Sequence, residues 1–140
     1  MMKMENKTQT SEVKEAVVRG HDVGISAKHA IAICKFLKGR KIDYSISFLE
    51  DVIKMKKAMP MRGEIPHRHG IAGGRYPVKA SKVFIGLLKN LKANASSKNL
   101  DVSKLVIAAK ADRASRARKP GKYARKFKRT HLEIKGILKQ

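Results

Sequence analysis

One cysteine, Cys34, occurs in the 140 residues, tryptophan is absent and aromatic residues make up only 5% of the chain. A lone thiol excludes an internal disulfide framework and fits a reducing compartment. No apolar run approaches the roughly 18 to 20 residues that span a bilayer. The polar segment Met1 to Ser11 lacks the apolar stretch of a secretory signal. Neither Trp nor a basic amphipathic anchor is present to hold the chain on a membrane surface. A cytoplasmic protein with no membrane partner is the expectation. Acidic residues are scarce too: 11 Asp and Glu stand against 33 Lys and Arg, a formal net charge of +22.

A hydrophobic share of 42% is ordinary, so the charge does not come from a missing core. It has to sit on the surface or on an extension. Such a chain repels itself unless a polyanion neutralises it. Nucleic acid fits that role best, because neutralising phosphates releases counterions and drives binding. No homo-oligomer and no cofactor is expected. The length suits one core, so residues 12–140 read as a single domain behind a flexible tail, residues 1–11.

The charge is unevenly placed. Residues 1–60 hold twelve basic and seven acidic residues, whereas residues 110–130 hold ten basic residues and one acid, Asp112. The first region reads as scaffold and the second as the binding element. Between Val13 and Ile25, apolar bursts broken by Gly20 and Gly24 predict a short strand. Ser26 is a good N-cap for a helix carrying Ala27, Ile31, Cys34 and Leu37 at helical spacing, stopped by Gly39. A second helix runs from about Asp43 to Met55, with Ile42, Ile46, Leu49 and Ile53 on one stripe, broadened by Phe48 and Val52, and Pro60 ends it. Pro77 opens a third, with Ala80, Phe84, Leu87, Leu91 and Ala95 as its apolar face. Leu105–Ala108 and the alternating His131–Leu138 read as strands. They flank the turn-like Lys119-Pro120-Gly121 and predict a basic hairpin over residues 109–130 that projects from the body. The fold class is α+β: three helices packed on a small three-stranded antiparallel sheet, with an extended basic β-hairpin.

Two segments carry the binding chemistry. The hairpin offers Lys110, Arg113, Arg116, Arg118, Lys119, Lys122, Arg125, Lys126, Lys128 and Arg129, with Tyr123 and Phe127 interleaved. Guanidinium groups match phosphate bidentately and stack on bases, as aromatic rings do. The Gly-rich loop of residues 61–76 offers Arg62, His67, Arg68, His69, Arg75 and Tyr76, and its glycines let backbone amides approach phosphates. Lys28, His29, Arg40 and Lys79 complete the candidate RNA-binding set, with His29 balanced between a phosphate contact and an inert surface position. A metal site on Cys34, His67 and His69 lacks a fourth ligand at a suitable spacing, so no metal is expected. The adjacent carboxylates Glu50 and Asp51 point in different directions on a helix, and no Ser/His/Asp arrangement is persuasive. No enzyme is expected.

Five segments, in order along nearly the whole chain, resemble one family. They are Ser26-Ala27-Lys28-His29-Ala30, Phe48-Leu49-Glu50-Asp51-Val52-Ile53 and Gly74-Arg75-Tyr76-Pro77-Val78-Lys79-Ala80. Leu87-Leu88-Lys89-Asn90-Leu91 with Ala93-Asn94-Ala95 follows, and Thr130-His131-Leu132-Glu133-Ile134 closes the series. The chain is similar to the universal large-subunit ribosomal protein family called L-twenty-two in bacteria and L-seventeen in eukaryotes, in its archaeal and eukaryotic branch. The resemblance implies a structural constituent of the large ribosomal subunit that binds and stabilises its RNA. It also implies a hairpin lining the nascent-peptide exit tunnel, with neighbouring ribosomal proteins and the nascent polypeptide as further partners. The tip would be Arg116, Ala117, Arg118, Lys119, Pro120, Gly121 and Lys122. The chain departs from the family in a shorter Leu105–His131 segment, whose return strand reads Tyr123-Ala124-Arg125-Lys126-Phe127-Lys128. Two rivals are a free-standing basic nucleic-acid chaperone and an RNA-processing enzyme using His67, His69 or His131.

Overall fold

The computed structural model describes residues 15–121 and 125–138. The predicted N-terminal tail lies outside them, as do Lys122 and Tyr123. In chain order come β1 (Glu15–Val23), α1 (Ala27–Leu37), α2 (Ile42–Ile53), β2 (Met59–Pro60), β3 (Gly74–Arg75) and α3 (Val78–Ser97). A short 3-10 turn, Val102–Lys104, then leads into β4 (Leu105–Arg113), and β5 (Thr130–Leu138) follows. The main sheet is antiparallel in the order β1-β5-β4. Three helices with a three-stranded antiparallel sheet make the fold α+β, as the apolar periodicities imply.

The last strand is the central one. Alternation in β5 buries Leu132 and Ile134, while His131, Glu133 and Lys135 are only half-covered. Its pairing with β4 runs from Leu105 opposite Leu138 to Arg113 opposite Thr130. On the other edge, β1 pairs with β5 until the register shifts between Gly20 and Val23, where Asp22 takes a positive φ of 50°. Such a bulge bends the strand and ends regular pairing.

Helix α3 crosses the sheet and also packs against α2, with Ala80, Phe84, Leu88, Leu91 and Ala95 buried. Leu88 occupies the core where Leu87 was expected, and Leu87 packs at its margin. Helix α1 packs on β4 through Ala27, Ala30, Ile33, Cys34 and Leu37, whereas Ile31 is exposed. Small Ala30 on the inner face allows close approach to the sheet, so the stripe is rotated from the one that bulky residues suggest. In α2 the buried face is Ile42, Ser45, Phe48, Leu49 and Val52, with Ile46 and Ile53 at its edges.

Helix α2 ends before Pro60. Met55 adopts φ 57°, its N–H donates to the Val52 carbonyl at 3.1 Å and the Lys56 N–H to that of Asp51 at 2.9 Å. That pattern is a Schellman stop, here with Met in the left-handed position that glycine usually fills. Pro60 instead lies in β2. After α1, the Gly39 N–H donates to the Ile107 carbonyl and the Ile107 N–H to that of Arg40, laying this segment along the edge of β4. Arg40 is thereby fixed between α1 and α2.

Candidate nucleic-acid interface

Three segments distant in sequence bound one cleft of about 490 Å³: Gly24–Ser26 with His29, Tyr76–Ala80, and Lys119 with Lys126–Arg129. Helices α1 and α3 both begin there. Ser26 and Pro77 occupy the N-cap positions, but neither supplies a side-chain cap bond. For Pro77 none is possible, and the Ser26 hydroxyl is not spent on the helix as its N-cap position suggested. The first turn of α3, Val78–Ala80, lines the cleft, and the helix dipoles add positive potential at these N-termini.

The base of the β4–β5 connection is tied to this corner. The buried Thr130 hydroxyl donates to the Ile25 carbonyl at 3.0 Å. Beyond it, the Ala114 N–H donates to the Arg129 carbonyl (3.2 Å), Phe127 to Ala117 (2.9 Å) and Lys119 to Arg125 (2.9 Å). A further antiparallel bridge joins Arg118 to Lys126. The half-exposed Phe127 ring lies 5.2 Å from the Lys119 ammonium and 5.3 Å from the Arg129 guanidinium. Because Lys119 and Lys126–Arg129 share a cleft with the helix N-termini, this part of the arm does not stand wholly clear of the body. Half-buried His29 is held below the usual imidazole range, by burial first and then by the positive charges of Lys128 and Arg75.

The loop of residues 61–76 is folded on itself. Strands β2 and β3 close its ends, Met59 opposite Arg75 and Pro60 opposite Gly74. A Cβ on Gly74 would stand 2.6 Å from Ile71 Cδ1 and 2.9 Å from the Met59 carbonyl oxygen, so only glycine fits this crossing. Inside the loop, the Gly74 N–H donates to the Pro66 carbonyl (3.2 Å) and the Ile71 N–H to that of Arg68 (3.1 Å). Arg62, His67, His69 and Arg75 are exposed, and Arg68 is half-buried, its guanidinium 5.4 Å from the Tyr76 ring centre.

Of the residues expected to bind RNA, His29, Tyr76, Lys79, Lys119, Lys126, Lys128 and Arg129 converge on the first cleft. Arg40, Arg68, His69 and Tyr76 line a second, between α1, α2 and the loop. Arg40 also borders a third cleft with Arg62. Lys28, Arg113, Arg116, Arg118 and Arg125 are exposed and line none of these three. Lys110 is drawn to the sheet, where it pairs with Asp112 at 3.1 Å. Several acids are neutralised on or beside that sheet: Arg19 meets Glu133 (2.9 Å) and Lys135 meets Glu15 (3.2 Å). Among the described residues, no arm cation from Arg113 onward and no loop cation enters an ion pair. Nor do the described residues include a group of three or more His, Cys, Asp or Glu placed to hold a metal. No described helix is long and apolar enough to cross a membrane.

Comparison with known proteins decides the family. The model of the ribosomal protein L22p/L17e family matches residues 18–135. The chain belongs to this family. It is 44% identical over 102 residues to the large ribosomal subunit protein uL22 of Archaeoglobus fulgidus, covering 69% of this chain and 66% of that one. It is 43% identical to uL22 of Methanocaldococcus jannaschii (76% and 72% covered) and 40% identical to that of Ignicoccus hospitalis (81% of each). Family membership makes the chain a large-subunit ribosomal protein, not an enzyme, with its place in the cytoplasmic ribosome.

The cations were visible in the sequence of this family member, but an aromatic group in the second cleft was not singled out. Phe36 and Phe48 stack with ring centres 4.1 Å apart, and Tyr44 stacks on Phe48 at 6.5 Å. The signal was available: Phe36, Arg40, Tyr44 and Phe48 recur every four residues.

Proposed function

We propose that the chain binds large-subunit ribosomal RNA through the face that joins the helix N-terminal cleft, the loop of residues 61–76 and the arm, and thereby stabilises the RNA fold. The observation that carries this reading is the segregation of charge. Loop and arm cations lack intramolecular ion partners among the described residues, while acids are paired on and beside the sheet. Unneutralised cations gain most from phosphate, and Lys128 and Arg75, which add to burial in lowering the His29 pKa, mark where an anion is well received. The arm, Arg116 to Lys122 at its tip, would reach the wall of the nascent-polypeptide tunnel, beside other large-subunit proteins. Basic groups there would slow acidic stretches of a nascent chain.

Sedimentation of lysate at high and low magnesium tests the RNA anchorage. The chain is expected to stay with the large subunit when subunits separate and to resist moderate salt. Recovery near the top of the gradient would instead favour a free nucleic-acid chaperone. For the tunnel role, a photoreactive group at Arg118 should crosslink to the nascent peptide of stalled ribosomes. Crosslinks to RNA alone would leave the anchoring role and remove the tunnel role.

A further inference from the structure

The second cleft differs from the rest of the basic surface. Of the four phenylalanines and three tyrosines in the chain, Phe36, Tyr44, Phe48 and Tyr76 all line this space of about 520 Å³. The Arg40 guanidinium lies 3.8 Å from the Phe36 ring centre and 5.4 Å from that of Tyr44, and its Nη1 donates to the Tyr44 hydroxyl at 3.2 Å. Phe48 is nearly buried, but Tyr44 is 52% exposed. A monomer gains little by leaving a tyrosine ring half in water on such a base.

The rim is cationic. Arg40, Lys56 and Arg68 border the cleft beside His69, with no ion partner and no lining carboxylate among the described residues. Lys57 is committed to Asp51 at 2.8 Å. Arg68 Nε is buried with no hydrogen-bond partner among the described residues, a cost left standing in the free chain. Flat π surface beside unpaired cations matches two parts of a nucleotide: a base to stack and a phosphate to neutralise. A phosphate alone has no use for the rings, and an apolar peptide has none for the cations.

We propose that this cleft receives one unpaired, splayed-out base of RNA, stacked against Tyr44, with the adjoining phosphates held by Arg40, Lys56 and Arg68. The inference rests on the RNA-binding reading and deepens it: the site takes single-stranded RNA at a loop or bulge, where a duplex cannot present a base.

The test uses the full chain, protein-free large-subunit ribosomal RNA and a salt series. Three variants are compared with the parent: Tyr44→Ala, Tyr44→Phe and the arm double variant Arg116→Ala/Arg118→Ala. Removing one stacking ring should weaken binding roughly five- to a hundredfold. Stacking releases no counterions, so Tyr44→Ala should leave the slope of log affinity against log salt unchanged. Tyr44→Phe keeps the ring and should bind more tightly than Tyr44→Ala, and the arm variant should lower the slope. Ultraviolet irradiation of assembled large subunits should attach a nucleotide to the peptide carrying Tyr44. Parental affinity in Tyr44→Ala, with the arm variant still impaired, would overturn the base site and leave RNA binding standing. So would a crosslink from Tyr44 to another protein's peptide. Absence of RNA binding by every form would remove the RNA-binding reading itself, and the base site with it.

Discussion

Thr130 and Ile25, 105 residues apart in sequence, are joined by a buried hydrogen bond of 3.0 Å from the threonine hydroxyl to the isoleucine carbonyl. The bond fastens the start of β5 to the chain just before α1, at the point where arm and body meet. Thr130→Val keeps the shape but leaves a buried carbonyl short of its donor. We expect a loss of about 1–3 kcal/mol, read as a lower urea midpoint with an unchanged slope. An unchanged midpoint would mean that the carbonyl finds another donor and that the tie is dispensable.

The arm should act through charge count. Each phosphate that Arg116 or Arg118 no longer neutralises should lower the salt slope by about 0.7 to 0.9. The affinity loss should be largest at low salt and should shrink as salt rises. A loss that is constant across the salt series would point to altered folding of the arm instead.

His29 gives a pH signature with a definite sign. Burial first, then Lys128 and Arg75, hold its pKa below the ordinary value in the folded chain. On acidification the unfolded chain takes up a proton near the ordinary value of about 6.5, and the native chain does so only at lower pH. Stability should therefore fall as pH drops below that value, until the native imidazole is itself protonated. Bound phosphate would reverse the balance by favouring the imidazolium. The His29 resonance should titrate at higher pH in the RNA complex than in the free chain, and RNA affinity should rise on acidification. A pKa unmoved by RNA would place the phosphates away from this cleft.

Cys34 should be inert until the chain opens. The residue is 4% exposed, and burial, with a smaller contribution from Asp112, pushes the thiol pKa up to about 12. Disulfide reagents should modify it slowly at neutral pH and rapidly in denaturant. The unfolded thiol ionises near about 8.5, while the folded one keeps its proton. Stability should thus decline with rising pH between these two values, and Cys34→Ala should remove that component of the decline. Rapid native labelling would show that α1 lifts from β4 far more often than global unfolding allows.

What could be read from sequence follows from the range over which each signal acts. Helix α3 was legible because Phe84, Leu91 and Ala95 repeat at helical spacing and all are buried. Strand β5 was legible from its alternation. The inner face of α1 was misjudged at Ile31 because the packing distance to β4 favours Ala30, and residue size alone does not report that distance. The β2–β3 pair was invisible. Two residues a side, including Pro60, carry no local strand signal, and the pair depends on Gly74 passing close to Met59. Individual cations of the interface were legible from composition. Their convergence was not, since His29, Lys79 and Lys128 meet only once the sheet and the Thr130 tie are in place.

The central position of β5 has a consequence for the order of events during synthesis. Among the described residues, strands β1 and β4 each pair only with β5 in the main sheet, and β5 is made after both. At about 5–20 residues per second, β1 waits on the order of ten seconds for its partner to be polymerised. Pairings over so long a separation are slow to close even then. The basic arm leaves the synthesising ribosome directly ahead of β5, still unanchored, because Thr130 follows it. Completion of the hydrophobic core and presentation of the fixed basic surface are therefore a single late event, and a nascent chain stopped before Thr130 carries the charge without the shape.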